Sequence, residues 1–172
     1  MAVRLVLWHG YLLEGTGSNI YTQHVARAWG RLGHDVVLVC QEPRPQRFDL
    51  GPNVEVVVPD VGPLLPVFVL DRYEGIEARH VADMTPAELD LFVGRNARAV
   101  AEAHGGRADL VLANHVLMGG PVAARACAGG TAHAVKIHGS ELEYAIRGQL
   151  RPQPSRWPAS RRSSPVRATS SR

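Results

Sequence analysis

"VRLVLWHGYLLEGTGSNIYTQHVARAWGRLG" occupies residues 3–33 of the 172-residue chain. Residues 3–8 are apolar at nearly every position and the run is short, as expected of a strand buried on both faces. A loop carrying Gly15 and Gly17 follows. Beyond it, Tyr21, Val25, Ala28, Trp29 and Leu32 recur at helical spacing, which predicts a helix over residues 19–32 with Gly33 as its stop. Strand, glycine loop and helix in that order form the opening unit of an α/β fold.

Strand-length and helical patterns continue to alternate downstream, without any internal sequence repeat. Further apolar runs of strand length lie at 35–40, 54–58, 108–113 and 132–137. "TPAELDLFVGRNARAVAEAHGG" (85–106) opens with Thr85 as a cap, Pro86 at the first helical position and Glu88 closing a capping box. Leu89, Phe92, Val93, Asn96 and Val100 give its helical spacing, and Gly105 and Gly106 end it. A third helix is expected over 118–128, and "GPLLPVFVLDRYEG" (62–75) reads as a short extra strand and loop. Strands alternating with helices predict a Rossmann-like, doubly wound parallel sheet of order 3-2-1-4-5. Ligands then bind beyond the carboxyl ends of the strands, near the switch between the first and fourth.

The formal charge of +3 conceals two different regions. Residues 151–172 hold six arginines and no acid, so residues 1–150 carry −3. A mildly acidic folded part argues against nucleic-acid binding, which needs basic residues on the folded face. The expected organisation is one domain over 1–149 and an Arg/Ser/Pro-rich, disordered tail over 150–172. Cys40 and Cys127 each sit in an apolar run and read as small core residues. No apolar run reaches membrane-spanning length, and the first residues read as a strand and not a signal peptide, so a cytoplasmic location is expected.

Functional candidates gather where the strands end. Gly15 and Gly17 let the backbone approach a ligand, and the helix after them offers free N–H groups to a phosphate or diphosphate. The same residues also fit a plain tight turn capped by Ser18 or Asn19. A dinucleotide fingerprint would need a third glycine at Ile20, although Glu42 stands near where a ribose-binding acid would lie. Asn114, His115 and His138 fall on the same rim, with His9 at the end of the first strand. Histidines in a crevice suit hydroxyl recognition or acid–base work. No spacing motif supports a metal. Ser140 is a candidate cap for a helix opened by "GSELEY", with Glu143 in its first turn.

"GTGSN" opening a helix that ends "RLGHDVVLVC", followed by "DRYEG", "ADLVLANH" and "AVKIHGSELEY", resembles the N-terminal domain of retaining glycosyltransferases of family four, which have the GT-B fold. The resemblance covers residues 3–148. It implies an acceptor-side domain that faces a C-terminal domain holding most of a nucleotide-sugar donor. Carried over by that resemblance, Gly15 and Gly17 lie near the donor diphosphate and His138 contacts the sugar near the reacting carbon as the catalytic residue. Ser18, Asn114, His115, Gly139 and Ser140 line the acceptor or sugar side. No metal and no cofactor is implied. The partners are the nucleotide sugar, an acceptor of unknown kind, the donor domain, and a membrane surface touched peripherally by the full-length enzyme.

The family's pair of glutamates eight residues apart has no match here, and after "HGSELEYAIRG" the sequence turns abruptly to Arg, Ser and Pro. The expectation is therefore a truncated enzyme, inactive alone, with apolar surface uncovered around Leu12, Leu13 and Leu117. Two other readings stay open: a stand-alone or split ligand-binding module that pairs with a separate donor domain, and a nicotinamide-dependent oxidoreductase.

Overall fold

The computed structural model of the chain describes residues 1–67, 77–139 and 141–146. Strand β1 (Arg4–Trp8) leads through the glycine loop to helix α1 (Gly17–Arg31), then β2 (Asp35–Val39) and β3 (Val54–Val57). Two short strands, β4 (Leu64–Val67) and β5 (Glu77–His80), precede α2 (Pro86–His104). The chain continues through β6 (Leu110–Asn114), α3 (Val116–Ala126) and β7 (His133–Lys136) to a π-helical turn, Glu141–Ile146.

The five principal strands form one parallel sheet in the order β3-β2-β1-β6-β7. This is the 3-2-1-4-5 order expected from the alternation of elements, with helices on both faces. The extra strand expected in 62–75 is β4, which pairs in parallel with β5 as a separate ribbon. Residues 68–75 of that stretch, and the expected tail of 150–172, lie outside the described residues. No helix among the described residues is long and apolar enough to cross a membrane.

Alternate side chains of the central strands enter two cores. Val6, Trp8, Val37, Val39, Val111 and Ala113 pack with α2 and α3. Leu7, Val36 and Leu38 pack with Ala26, Val25 and Trp29 of α1. Trp8 is 1 % exposed, and its indole N–H donates to Asn96 Oδ1 at 2.9 Å. Asn96 in turn donates its amide to Phe92 O, so the polar group buried in α2 is satisfied. Cys40 and Cys127 are both buried and free, as small core residues.

Helix α2 starts as expected. Thr85 Oγ1 accepts from the Glu88 N–H at 3.3 Å, while Glu88 Oε2 accepts from the Thr85 N–H at 2.8 Å. Gly105 ends the helix in the left-handed region, at φ 51°.

Three expectations need correction. The face α1 buries is Asn19, Thr22, Ala26 and Gly30, whereas Leu32 is 73 % exposed. At Gly30 the helix lies so close to the segment before β3 that no side chain fits: a Cβ there would stand 2.1 Å from Pro52 O. The last strand is not buried on both faces; all four residues of β7 are exposed. At the sheet edge it pairs with β6 alone among the described strands. Leu13, expected on an uncovered patch, is fully buried in the α1-side core.

Gly30→Ala should therefore lower unfolding free energy by about 1–3 kcal/mol through overpacking. Thr85→Ala should lower it by about 1 kcal/mol through loss of the cap. Denaturant midpoints measure both. A Gly30→Ala protein as stable as the parent would contradict the close approach of α1.

Candidate functional site

The rim beyond the carboxyl ends of β1, β6 and β7 is built around a run of aromatic rings. His9 follows β1, His115 follows β6 and His138 follows β7 by one residue. Adjacent strands thus deliver their next side chains to one place. The His9 and His115 rings are 5.5 Å apart and the His115 and His138 rings 4.7 Å, each pair tilted by about 35° or less. Tyr11 meets both His9 and His115 edge-on, at 5.7 and 4.7 Å. On the outer side, Tyr21 of α1 meets His138 edge-on at 5.5 Å.

His9 is completely buried. Its Nε2 faces two acceptors, Leu12 O at 3.0 Å and Asn19 Oδ1 at 3.1 Å. Nε2 therefore carries the proton of the neutral ring, and Nδ1 is buried with no hydrogen-bond partner. Burial first, and the neighbouring His115 second, push its pKa down to about 3, against the Asn19 and Leu12 hydrogen bonds. His138 is half-buried. Burial, then His115, lowers its pKa, with Lys136 adding to the effect and Glu141 opposing it.

His115 sits at φ 69°, in the left-handed region that non-glycine residues rarely adopt. Such a conformation costs on the order of 1–3 kcal/mol and persists where the surroundings impose it. It turns the chain from β6 directly into α3. Gly119 permits the tight return, since a Cβ there would lie 2.7 Å from Asn114 O and 2.9 Å from the Trp8 ring.

The sequence pattern marks Glu143 as the acid of the first turn, whereas the structure turns Glu141 inward. It is fully buried. Its Oε1 accepts from the Leu117 N–H at 2.9 Å and its Oε2 from the His138 N–H at 3.0 Å. Oε2 also lies 3.6 Å from His115 Nδ1, an electrostatic contact longer than a hydrogen bond. Burial alone would raise its pKa, but His115 and the two backbone donors together hold it below the usual carboxylate range. Its sequence signal was an acid three residues after His138, a spacing equally consistent with a solvated helix start.

The glycine loop stands beside this cluster. Gly15 has φ 101°, which only glycine adopts readily, and a Cβ at Gly17 would meet open space. Thr16, not Ser18 or Asn19, is the N-cap of α1, and its side chain makes no capping bond. Ser18 Oγ is 3.0 Å from Thr16 Oγ1. Asn19 turns inward to His9 and to Glu14 O. Tyr21, one turn beyond Gly17, carries the helix to His138.

Asn114 is fully buried, and its amide donates to Thr22 Oγ1 at 2.7 Å, tying β6 to α1. Its Oδ1 has no partner. Gly139 is exposed, next to His138. Ser140 lies outside the described residues. Glu42 accepts from the Leu13 and Arg44 N–H groups at 3.3 and 3.1 Å, so it braces two loops. No group of three or more metal-binding side chains is assembled among the described residues. A groove of about 960 Å³ lies elsewhere, along α2 near Arg95 and Arg98, and holds none of these histidines.

The family model for a glycosyl transferase 4-like domain matches residues 16–171. No curated protein matches the chain by sequence. Among solved structures, a hydrogenase C-terminal domain from Pyrococcus furiosus is 15 % identical with a TM-score of 0.44, over 78 % of this chain and 92 % of that one. A glycosyltransferase from Rickettsia africae is 13 % identical with a TM-score of 0.44, and the likeness covers 84 % of this chain but 33 % of that one. The chain thus spans about a third of that glycosyltransferase's length.

The buried His9 makes stability depend on pH. Its folded value is lowered from 6.5 to about 3, so the unfolded chain takes up the proton first as pH falls. Its contribution is full above pH 6.5 and is lost toward about pH 3, at about 1.4 kcal/mol per pH unit. His138, also lowered, acts in the same direction, and Glu141 adds its own loss only below its ordinary value of 4.5. His9→Gln should flatten the slope of unfolding free energy between pH 6.5 and 4.5. An unchanged slope would show that His9 is not held neutral by burial.

Proposed function

The chain belongs to the glycosyl transferase 4-like domain family, and we propose that it forms the acceptor-side wall of an enzyme that moves a sugar from a nucleotide-sugar donor with retention of configuration. The observation that carries this reading is the ring cluster of His9, His115 and His138 beside a glycine-opened helix start. A diphosphate leaving group needs fixed donors where its charge develops. The free N–H groups at the start of α1, reached past Gly15 and Gly17, can supply them.

In this reading His138 meets the sugar of the donor. Its lowered pKa keeps the ring neutral at pH 7, so it meets a sugar hydroxyl as a hydrogen-bond partner and not as a cation. His138 is the residue assigned to the reacting end. Ser18, His115 and Gly139 are assigned to the sugar or acceptor side, together with Ser140. Asn114 contributes from beneath, because its amide is occupied by Thr22.

Transfer also requires a closed cleft from which water is excluded. The described residues supply one wall, open on the side of Gly17, and the donor domain of a GT-B enzyme would supply the other. The 172-residue chain alone should show no turnover with any nucleotide sugar.

Two-dimensional NMR with millimolar UDP-glucose, GDP-mannose and NAD tests the site. The expected result is perturbation of the Gly15, Gly17 and Ser18 amides and of the His138 ring by one of the sugar nucleotides. Perturbation by NAD alone would favour the oxidoreductase, and no response at the rim would overturn the donor site. In a protein joined to a donor domain, His138→Ala should reduce kcat more than it raises KM.

A further inference from the structure

A carboxylate is rarely buried without a task, and Glu141 has three contacts drawn from two separate loops. We propose that Glu141 is the positioning residue of the rim, clamping the backbone of His138 to the first turn of α3 and so holding the His138 ring against His115.

The Leu117 N–H belongs to the first turn of α3 and has no partner within the helix. His115, the N-cap residue of that helix, makes no side-chain capping bond. Glu141 supplies the missing acceptor from 24 residues away. A simple cap would need nothing more. Here the second oxygen accepts from the backbone N–H of His138 at 3.0 Å. One planar group thus sets the separation between the β6–α3 turn, where His115 lies, and the β7 exit, where His138 lies. The two imidazoles consequently stand 4.7 Å apart, and Tyr21 closes the far side of His138. The strained φ of His115 fits the same account, because the clamp joins the turn just past that residue.

Four groups face the His138 ring: His115 from the start of α3, Lys136 from β7, Tyr21 from α1 and Glu141 from the π-helical turn. Of the three with a charge effect, Glu141 alone favours the protonated ring. Its role can therefore be read at His138, which an ordinary helix cap would not influence.

The inference rests on the reading that His138 serves the reaction, yet its test needs no substrate. In the unmodified chain, the amide signals of Leu117 and His138 should shift together on acidification, with one midpoint below the ordinary carboxylate range. Independent midpoints, or none, would overturn the clamp without any variant. In Glu141→Gln, the ring of His138 should titrate at lower pH than in the parent, and the His138 amide should exchange about tenfold faster. Glu141→Asp should restore the ring midpoint toward the parent value, since it keeps the charge. An unchanged His138 ring and amide in Glu141→Gln would reduce Glu141 to a helix cap. Failure of nucleotide sugars to bind would instead refute the functional reading and leave the clamp standing.

Discussion

Burial of Trp8 at the end of the central strand determines where everything on the rim falls. Its indole is tied to Asn96 of α2. Its ring also fills the space over Gly10 and Gly119, where a Cβ would come within 2.6 and 2.9 Å of it. A strand anchored this firmly cannot slip in register, because a shift by one residue would exchange the two cores. The next residue, His9, is then forced into the interior above the sheet. Neighbouring strands in matched register bring their own exits to the same height, since Trp8 pairs with Ala113 and Asn114 with Lys136. The imidazole cluster is thus a consequence of sheet register at a switch point.

Legibility in the sequence followed the range of the interaction. The capping box of Thr85, Pro86 and Glu88 is local chemistry within four residues, and it formed as expected. The strand order followed from alternation and chirality, which leave few topologies open. Apolar periodicity in α1 points to a different face from the one the helix buries. Close packing against Pro52 instead selects Gly30, while Ala26 enters the α1-side core and Thr22 accepts from Asn114; all three are small and carry little hydrophobic signal. The exposure of β7 has a faint trace, since "HAVK" is apolar at two of four positions against four of five in the "LVLAN" of β6.

The site was legible to the same degree. His9, His115 and His138 were placed on one rim by strand order alone, and the structure brings their rings into contact. Burial of His9 was not foreseen, because it depends on Leu12 and Asn19 folding over it. Glu141 was passed over in favour of Glu143, because which of the two turns inward depends on the unpaired Leu117 N–H of a distant helix. Long-range satisfaction of a buried donor leaves no periodic trace.

The electrostatic design of the rim follows from these partners. Glu141 is ionised near neutral pH, yet its charge is absorbed by two backbone donors and the start of α3. A buried anion neutralised this way does little to repel a second anion nearby. The positive end of α1 faces open space at Gly17. Beside it, Lys136, the sole lysine of the sequence, holds its ammonium 5.3 Å from the Tyr21 ring. His9 and His138 stay uncharged because burial, reinforced by the neighbouring His115, outweighs the hydrogen bonds of His9 and the charge of Glu141 beside His138. Attraction for an anion is therefore concentrated at α1 and Lys136, whereas the histidines next to it offer neutral hydrogen-bonding surface. A ligand with a charged end and a hydroxylated end, such as the nucleotide sugar we propose, would be oriented by that division before any specific contact formed.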